Sequence, residues 1–184
     1  MCPRCRLSKS RKKAVPGEGS DTSAVMLVGE GPGRNEDLQG RPFVGQAGKL
    51  LDELLTMAGL MRDNVFICNV VRCRPPNNRD PLPDEIKTCT PYLERQIDVI
   101  RPKLIVTLGK HSTAYFFSKT SLPFKGITSA HGKAKDVSFL DLSLTLFPTL
   151  HPAAGLYSAE YKRLLIRDFQ QLREILKGHG VLGS

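Results

Sequence analysis

Three polar side chains in this sequence stand at the ends of short apolar runs. Glu30 follows the run Val25–Gly29, Asn69 closes the run at 65–70, and His151 follows the run at 144–150. A carboxylate can position or deprotonate a water molecule. An amide offers one donor and one acceptor side by side. An imidazole just after a buried strand can donate to developing negative charge. Glu30 opens the segment GEGPGRNED, in which Gly31 and Gly33 flank a proline; this permits a tight turn and lets a ligand approach backbone amides closely. Glu36 and Asp37 add two carboxylates beside that turn, and GRPFVGQAG follows with Phe43 set among polar and glycine residues. Singly, each has a plainer role: a cap or turn for Asn69, a turn for His151-Pro152, core packing rather than stacking on a planar ring for Phe43. The glycines match neither a P-loop, since no Gly-Lys-Ser/Thr follows, nor the dinucleotide-binding fingerprint.

The cysteines form a second set. Cys2 and Cys5 make a Cys-x2-Cys pair, Cys73 and Cys89 are more widely spaced, and Cys68 falls inside an apolar run and reads as core. Four such thiols can bind zinc or an iron–sulfur cluster. The second pair lacks the tight spacing of a zinc ribbon, and free thiols are the remaining reading. His111, His131 and His179 have no comparable company and read as structural or surface residues.

The elements that must position these groups follow from periodicity. Four runs rich in Val, Ile, Leu and Phe (25–29, 65–70, 104–108 and 144–150) have the continuous apolar character of strands buried on both faces. Between them, residues 46–60, 84–100 and 159–177 carry apolar side chains at spacings of three and four, with Pro83 and Asp84 suited to a first helical turn and Pro91 marking a kink or boundary. Strands alternating with helices predict βαβ units and one domain over residues 1–184: a three-layer α/β/α sandwich around a four-stranded, mostly parallel sheet. Ligands of such sheets bind beyond the carboxyl ends of the strands, so Glu30, Asn69 and His151 are expected to converge there.

Composition narrows the class of partner. The chain has 184 residues with 27 Lys and Arg against 18 Asp and Glu, a formal net charge of +9 that points to a polyanion such as nucleic acid as readily as to a solvated basic surface. The basic run Arg4, Arg6, Lys9, Arg11, Lys12 and Lys13 reads as loop that touches phosphate or solvent. No stretch approaches the roughly 20 apolar residues of a membrane span, and MCPRCRLSKSRKK lacks the apolar region of a secretory leader, so an intracellular, cytoplasmic protein without structural disulfides is expected.

In combination these motifs resemble the family 4, iron–sulfur type uracil-DNA glycosylases. The resemblance rests on GEGPGRNEDLQGRPFVGQAGKLLDELL, on VFICNVVRCRPPNNRDPLPDEIKTC and on LHPAAGLY, with weaker similarity in RPKLIVTLGKHSTAYF and the last helix. It spans nearly the whole chain. It implies an α/β/α fold and hydrolysis of the N-glycosidic bond of uracil in DNA, with neither metal nor nucleotide cofactor at the reacting centre. It further implies a structural [4Fe–4S] cluster on Cys2, Cys5, Cys73 and Cys89, which would pin the N-terminal segment to the irregular loop RCRPPNNRDPLP. Carried over residue by residue, Phe43 stacks on the flipped uracil, Asn69 reads its Watson–Crick edge, and backbone groups around Gly31 and Gly33 add hydrogen bonds. Glu36 lies near the base and helps to exclude thymine, and His151 stabilises charge on uracil O2. Glu30, Glu36 and Asp37 are the alternatives for handling the attacking water. Leu156 and Tyr157 fall where a wedge enters DNA, and Gly155 is expected to loosen that wedge. The substrate is single- or double-stranded DNA, and a monomer is expected. The related group that is trapped covalently on uracil-DNA uses a histidine in an inserted loop, and VVRCRPPNNRDPLPDE has neither. A non-enzymatic DNA-binding domain and a zinc-binding structural protein are the other readings.

Overall fold

The computed structural model describes residues 2–182. Its centre is a six-stranded sheet of β1 (Glu18–Gly19), β2 (Val25–Gly29), β3 (Phe66–Asn69), β4 (Leu104–Leu108), β5 (Lys135–Phe139) and β6 (Leu142–Thr149), in the order β1-β3-β2-β4-β6-β5. The helices are α1 (Arg34–Gln39), α2 (Gln46–Met57), α3 (Pro83–Ile100), α4 (Lys110–Lys119), α5 (Ile127–Ala130), α6 (Ala154–Tyr157) and α7 (Ala159–Gly178). The three-layer sandwich stands, but the sheet has six strands where four were expected. The expected four are the parallel centre β3-β2-β4-β6, and β1 and β5 extend it as antiparallel edges. Both edges escape an apolar-run search for a physical reason. β1 is two residues long, and β5 reads KDVSF with mostly exposed side chains, as suits edge strands that must not recruit other chains.

The pleat explains the two helical layers. Val25 and Leu27 of β2, Leu104, Val106 and Leu108 of β4, and Phe147 of β6 pack on one side against Leu51, Leu54 and Leu55 of α2 and Leu165, Phe169 and Leu172 of α7. Met26, Val28, Ile105, Leu144 and Leu146 face the other side, against Leu93 and Ile97 of α3 and Phe116 of α4. Alternate residues of one strand thus serve opposite cores, which is why the strands read as unbroken apolar runs. Helix α3 runs through Pro91 without ending there. Helix α4, KHSTAYFFSK, was not legible as a helix, because its Ser, Thr and aromatic content gives low helix propensity. No helix among the described residues is long and apolar enough to cross a membrane.

Candidate active site

The carboxyl ends of the four parallel strands deliver the polar residues to one edge. Backbone bonds continue past the end of β3, where Val70 N–H donates to the Gly29 carbonyl (2.9 Å) and Val71 N–H to the Glu30 carbonyl (3.0 Å), locking Asn69 beside the glycine turn. Gly109 N–H donates to the Thr149 carbonyl (2.9 Å), joining the ends of β4 and β6. Gly109 has φ +93°, and a Cβ there would lie 2.9 Å from His151 Cβ, so only glycine lets the histidine approach this closely. The result is a cleft of about 320 Å³, within the usual range for small-ligand sites. Glu30, Gly31, Gly33, Glu36, Phe43, Asn69 and His151 all line it. Glu30, Asn69 and His151, the three residues expected to converge, are all in this lining, and one of the other candidate site residues lies outside it.

The exception is Asp37. Its carboxylate is buried and accepts from the backbone N–H groups of Lys12 (2.8 Å) and Lys13 (3.4 Å), so it ties down the N-terminal segment and is not part of the cleft lining. The neighbouring Glu36 faces the cleft, with Oε1 accepting from Val44 N–H and Gly45 N–H at 2.9 Å each. This grip holds the loop carrying Phe43, whose φ of +48° is a left-handed conformation that an aromatic residue adopts only under constraint. Gly48 is part of that constraint, because a Cβ there would lie 1.8 Å from the Phe43 carbonyl oxygen. The Phe43 side chain joins the α2/α7 core and also stacks on His151, with centroids 5.6 Å apart and planes inclined by 28°. Core packing and cleft lining are therefore not alternatives at this residue.

Asn69 is 1% exposed, and its Oδ1 is the one buried side-chain polar atom among the described residues that has no hydrogen-bond partner. Oδ1 abuts Gly29, where a Cβ would come within 2.5 Å of it and 2.7 Å of Phe43 Cζ. His151 Nδ1 accepts from Ala153 N–H (3.2 Å), which leaves the proton of a neutral ring on Nε2. Burial pushes the His151 pKa down to about 4, against the opposing charge of Glu36, so the ring is a neutral donor near pH 7. Glu30 is partly buried, and that burial raises its pKa; His111 opposes the rise, Asp80 adds to it and Lys110 opposes it.

His111 is a residue that sequence reasoning passed over. Its Nε2 lies 3.0 Å from Asp80 Oδ2 and 3.7 Å from Glu30 Oε2, which places it beside a residue of the cleft lining. Its position two residues past Gly109, at a strand end of the same sheet, was the available signal. Asn78 and Arg79 also reach the cleft from the loop after β3, where Asn77 and Asn78 take consecutive left-handed conformations that asparagine tolerates. Arg79 is held there by a two-pronged bond to the buried carboxylate of Glu85 (2.7 and 2.9 Å). Beyond His151, Leu156 and Tyr157 are 43% and 89% exposed, in and at the end of α6. Gly155 does not loosen this segment as expected. It is buried, and a Cβ would meet Leu165 Cδ1 at 2.9 Å and Leu50 Cδ2 at 3.0 Å, so its smallness lets α6 dock on the core.

The cysteine set lines a different cavity from the cleft. Cys2, Cys5, Cys73 and Cys89 line a common cavity of about 480 Å³, none is in a disulfide, and Cys68 is buried separately in β3. Arg11 emerges from the basic run to donate to Cys73 Sγ (2.9 Å) and the Cys2 carbonyl (2.8 Å). The Tyr92 hydroxyl donates to Cys2 Sγ (3.3 Å) and holds that thiol's pKa down, whereas burial raises those of Cys73 and Cys89.

A family model described as the uracil DNA glycosylase superfamily matches residues 16–176. The chain is 54% identical over 175 residues to a type-4 uracil-DNA glycosylase of Sulfurisphaera tokodaii, an alignment covering 95% of this chain and 80% of that protein. It is 43% identical over 174 residues to the type-4 uracil-DNA glycosylase of Archaeoglobus fulgidus (95% and 87% covered). Against that of Thermotoga maritima the identity is 41% over 181 residues (97% and 91% covered).

Proposed function

The chain belongs to the uracil DNA glycosylase superfamily and is a DNA glycosylase that hydrolyses the N-glycosyl bond of uracil, and we propose that the cleft at the carboxyl edge of its sheet is the pocket for the extruded base. The observation that carries this assignment is the orphaned Asn69 Oδ1, a buried acceptor with no partner in the protein. Buried polar atoms are almost always satisfied, so an unsatisfied acceptor on a residue that lines the cleft suits a ligand donor. Uracil N3–H is such a donor, and the carbonyl beside it suits the amide Nδ2. A glycosylase cannot reach the sugar carbon inside a duplex, so the nucleotide is turned out of the stack, at a cost of about a few kcal/mol. Stacking on Phe43 and the edge bonds to Asn69 offset that cost, and the net positive charge holds the phosphates. The exposed Leu156 and Tyr157 are suited to fill the space the base leaves.

As the bond breaks, negative charge collects on the departing base. His151 Nε2–H donates to uracil O2, and a neutral ring prepared by burial needs no reorganisation at that moment. Glu30, a carboxylate of the cleft not fastened to the backbone as Glu36 is, orients the attacking water. Glu36, fixed through Oε1, forms a rigid wall near the base that disfavours the extra methyl of thymine. Gly31 and Gly33 line the cleft, and a Cβ on Gly31 would meet Val71 Cγ2 at 2.7 Å, so glycine lets the turn pack against the end of β3.

The four cysteines are free thiols that line one cavity, an all-sulfur donor set that suits an iron–sulfur cluster. Cys2, Cys5, Cys73 and Cys89 would hold a [4Fe–4S] cluster in the cavity they share. Such a cluster supplies a covalent cross-link between the N-terminal segment, the loop after β3 and α3.

The test is excision from an oligonucleotide with a single uracil, read as alkali-labile cleavage over many turnovers, with Asn69→Ala and His151→Ala alongside. A sharp fall in both variants is expected. Undiminished turnover in both would remove the cleft from the reaction, and a stable protein–DNA adduct would replace hydrolysis with trapping.

A further inference from the structure

Arg72 is 6% exposed, yet no Asp or Glu pairs with it among the described residues. A buried guanidinium without a carboxylate is costly unless other groups offset its charge. One arm donates to the backbone carbonyl of Asn69 and the other to Gln96 Oε1. Gln96 is anchored in turn, its Nε2 donating to the Pro16 carbonyl at 2.9 Å. The Arg72 backbone joins the same network. Its N–H donates to Cys89 Sγ (3.2 Å), and its carbonyl accepts from Val15 N–H (2.8 Å). Its side chain borders the cavity of Cys2, Cys5, Cys73 and Cys89. Arg72 thus touches the base-reading residue with one group and a cysteine of the sulfur centre with another.

Asn69 needs this support. Its Oδ1 has no protein partner, so the aim of the amide is set by packing and by the backbone that carries it. The Arg72 fork fixes that backbone at the carbonyl. We propose that Arg72 is a positioning residue through which the sulfur centre holds the Asn69 amide in register with the base. A thiolate at Cys89, whose charge interacts with Arg72, would help to offset the buried guanidinium once the centre is loaded, and the guanidinium clamps the Asn69 peptide. The cysteine centre then contributes to base recognition, beyond cross-linking the loop. This rests on the assignment of Asn69 to the base edge and of the four cysteines to the cluster.

The experiment compares anaerobically purified wild-type, Arg72→Lys, Gln96→Leu and Asn69→Ala proteins, each with its iron content and visible absorbance recorded. Lysine keeps the charge but not the two-pronged fork. For Arg72→Lys we expect full iron content, unchanged affinity for a uracil-free oligonucleotide, and inhibition by free uracil weakened roughly tenfold, with kcat/KM reduced up to about 100-fold, the scale of a small misplacement. Gln96→Leu, at a partly exposed position distant from the base, should show the same pattern at about threefold, and it carries the test alone if Arg72→Lys does not fold. A purely structural role would lower iron content or protein yield without selectively weakening uracil. Uracil inhibition within about twofold of wild type in Arg72→Lys, with inhibition lost in Asn69→Ala, would overturn the coupling. Loss of iron from Arg72→Lys would overturn it too, reducing Arg72 to a support of the centre. Wild-type inhibition in Asn69→Ala would instead refute the base-edge assignment itself.

Discussion

Replacing Asn69 by leucine should make the protein more stable and nearly inactive. Leucine reproduces the branched outline of asparagine while removing the orphaned Oδ1 from a position only 1% exposed. An unsatisfied buried acceptor costs about 1–3 kcal/mol. Part of that relief is lost because a methyl is larger than a carbonyl oxygen, and Oδ1 already sits 2.5 Å from the place a Gly29 Cβ would occupy. A net gain of about 1 kcal/mol remains, which raises Tm by roughly 2–4 °C in a chain of this size. Catalysis moves the other way. Uracil N3–H and its adjacent carbonyl would be buried without partners, at about 1–3 kcal/mol each. A combined loss of about 3–5 kcal/mol corresponds to roughly 10²–10⁴-fold in kcat/KM. The assay pairs thermal denaturation at one fixed scan rate, on proteins matched for iron content, with excision kinetics on a uracil oligonucleotide. A variant that melts well below wild type would show that Oδ1 is satisfied in the free protein. A variant that excises uracil within about threefold of wild type would show that the amide does not read the base.

Gly29→Ala should lower kcat/KM by more than tenfold, because the new Cβ meets both Asn69 Oδ1 and Phe43 Cζ; the overpacking also costs about 1–3 kcal/mol by denaturant titration. Excision should fall on the acid side as Glu30 protonates at its raised pKa, and His111→Gln, which removes the opposing charge, should move that limb to higher pH, whereas Asp80→Asn moves it lower. At Glu30 stability runs against activity: the fold favours the protonated carboxyl, so the contribution is full below the unfolded pKa and lost as pH rises through the raised folded value. His151 should titrate by NMR near its depressed value of about 4, with the neutral ring protonated on Nε2; a midpoint at the ordinary imidazole value would refute the buried neutral donor. Its sign is opposite to that of Glu30, since stability held above the unfolded imidazole pKa is lost as pH falls toward the folded one.

The sequence alone determined the parallel core, because each central strand is buried on both faces and must be apolar along its length. It also determined that Glu30, Asn69 and His151 share one edge, since the carboxyl ends of parallel strands lie together whatever the side chains between them do. The edge strands β1 and β5 were hidden because solvent-facing strands carry little apolar signal. Other assignments waited on tertiary structure because they depend on partners far apart in the chain. Glu36 and Asp37 are adjacent acids with equal claims in sequence, yet one turns to the cleft and the other to the backbone of Lys12 and Lys13. Gly155 reads as a hinge until Leu50 and Leu165 close around it. His111 acquires meaning only when β4 and the loop after β3 bring it beside Glu30 and Asp80. Arg72, one more cation in a basic chain, becomes a link between Asn69 and Cys89 only because β3 and α3 pack together. Hydrophobic periodicity records which face of an element is buried, and it carries no information on which polar atoms that burial will leave facing one another.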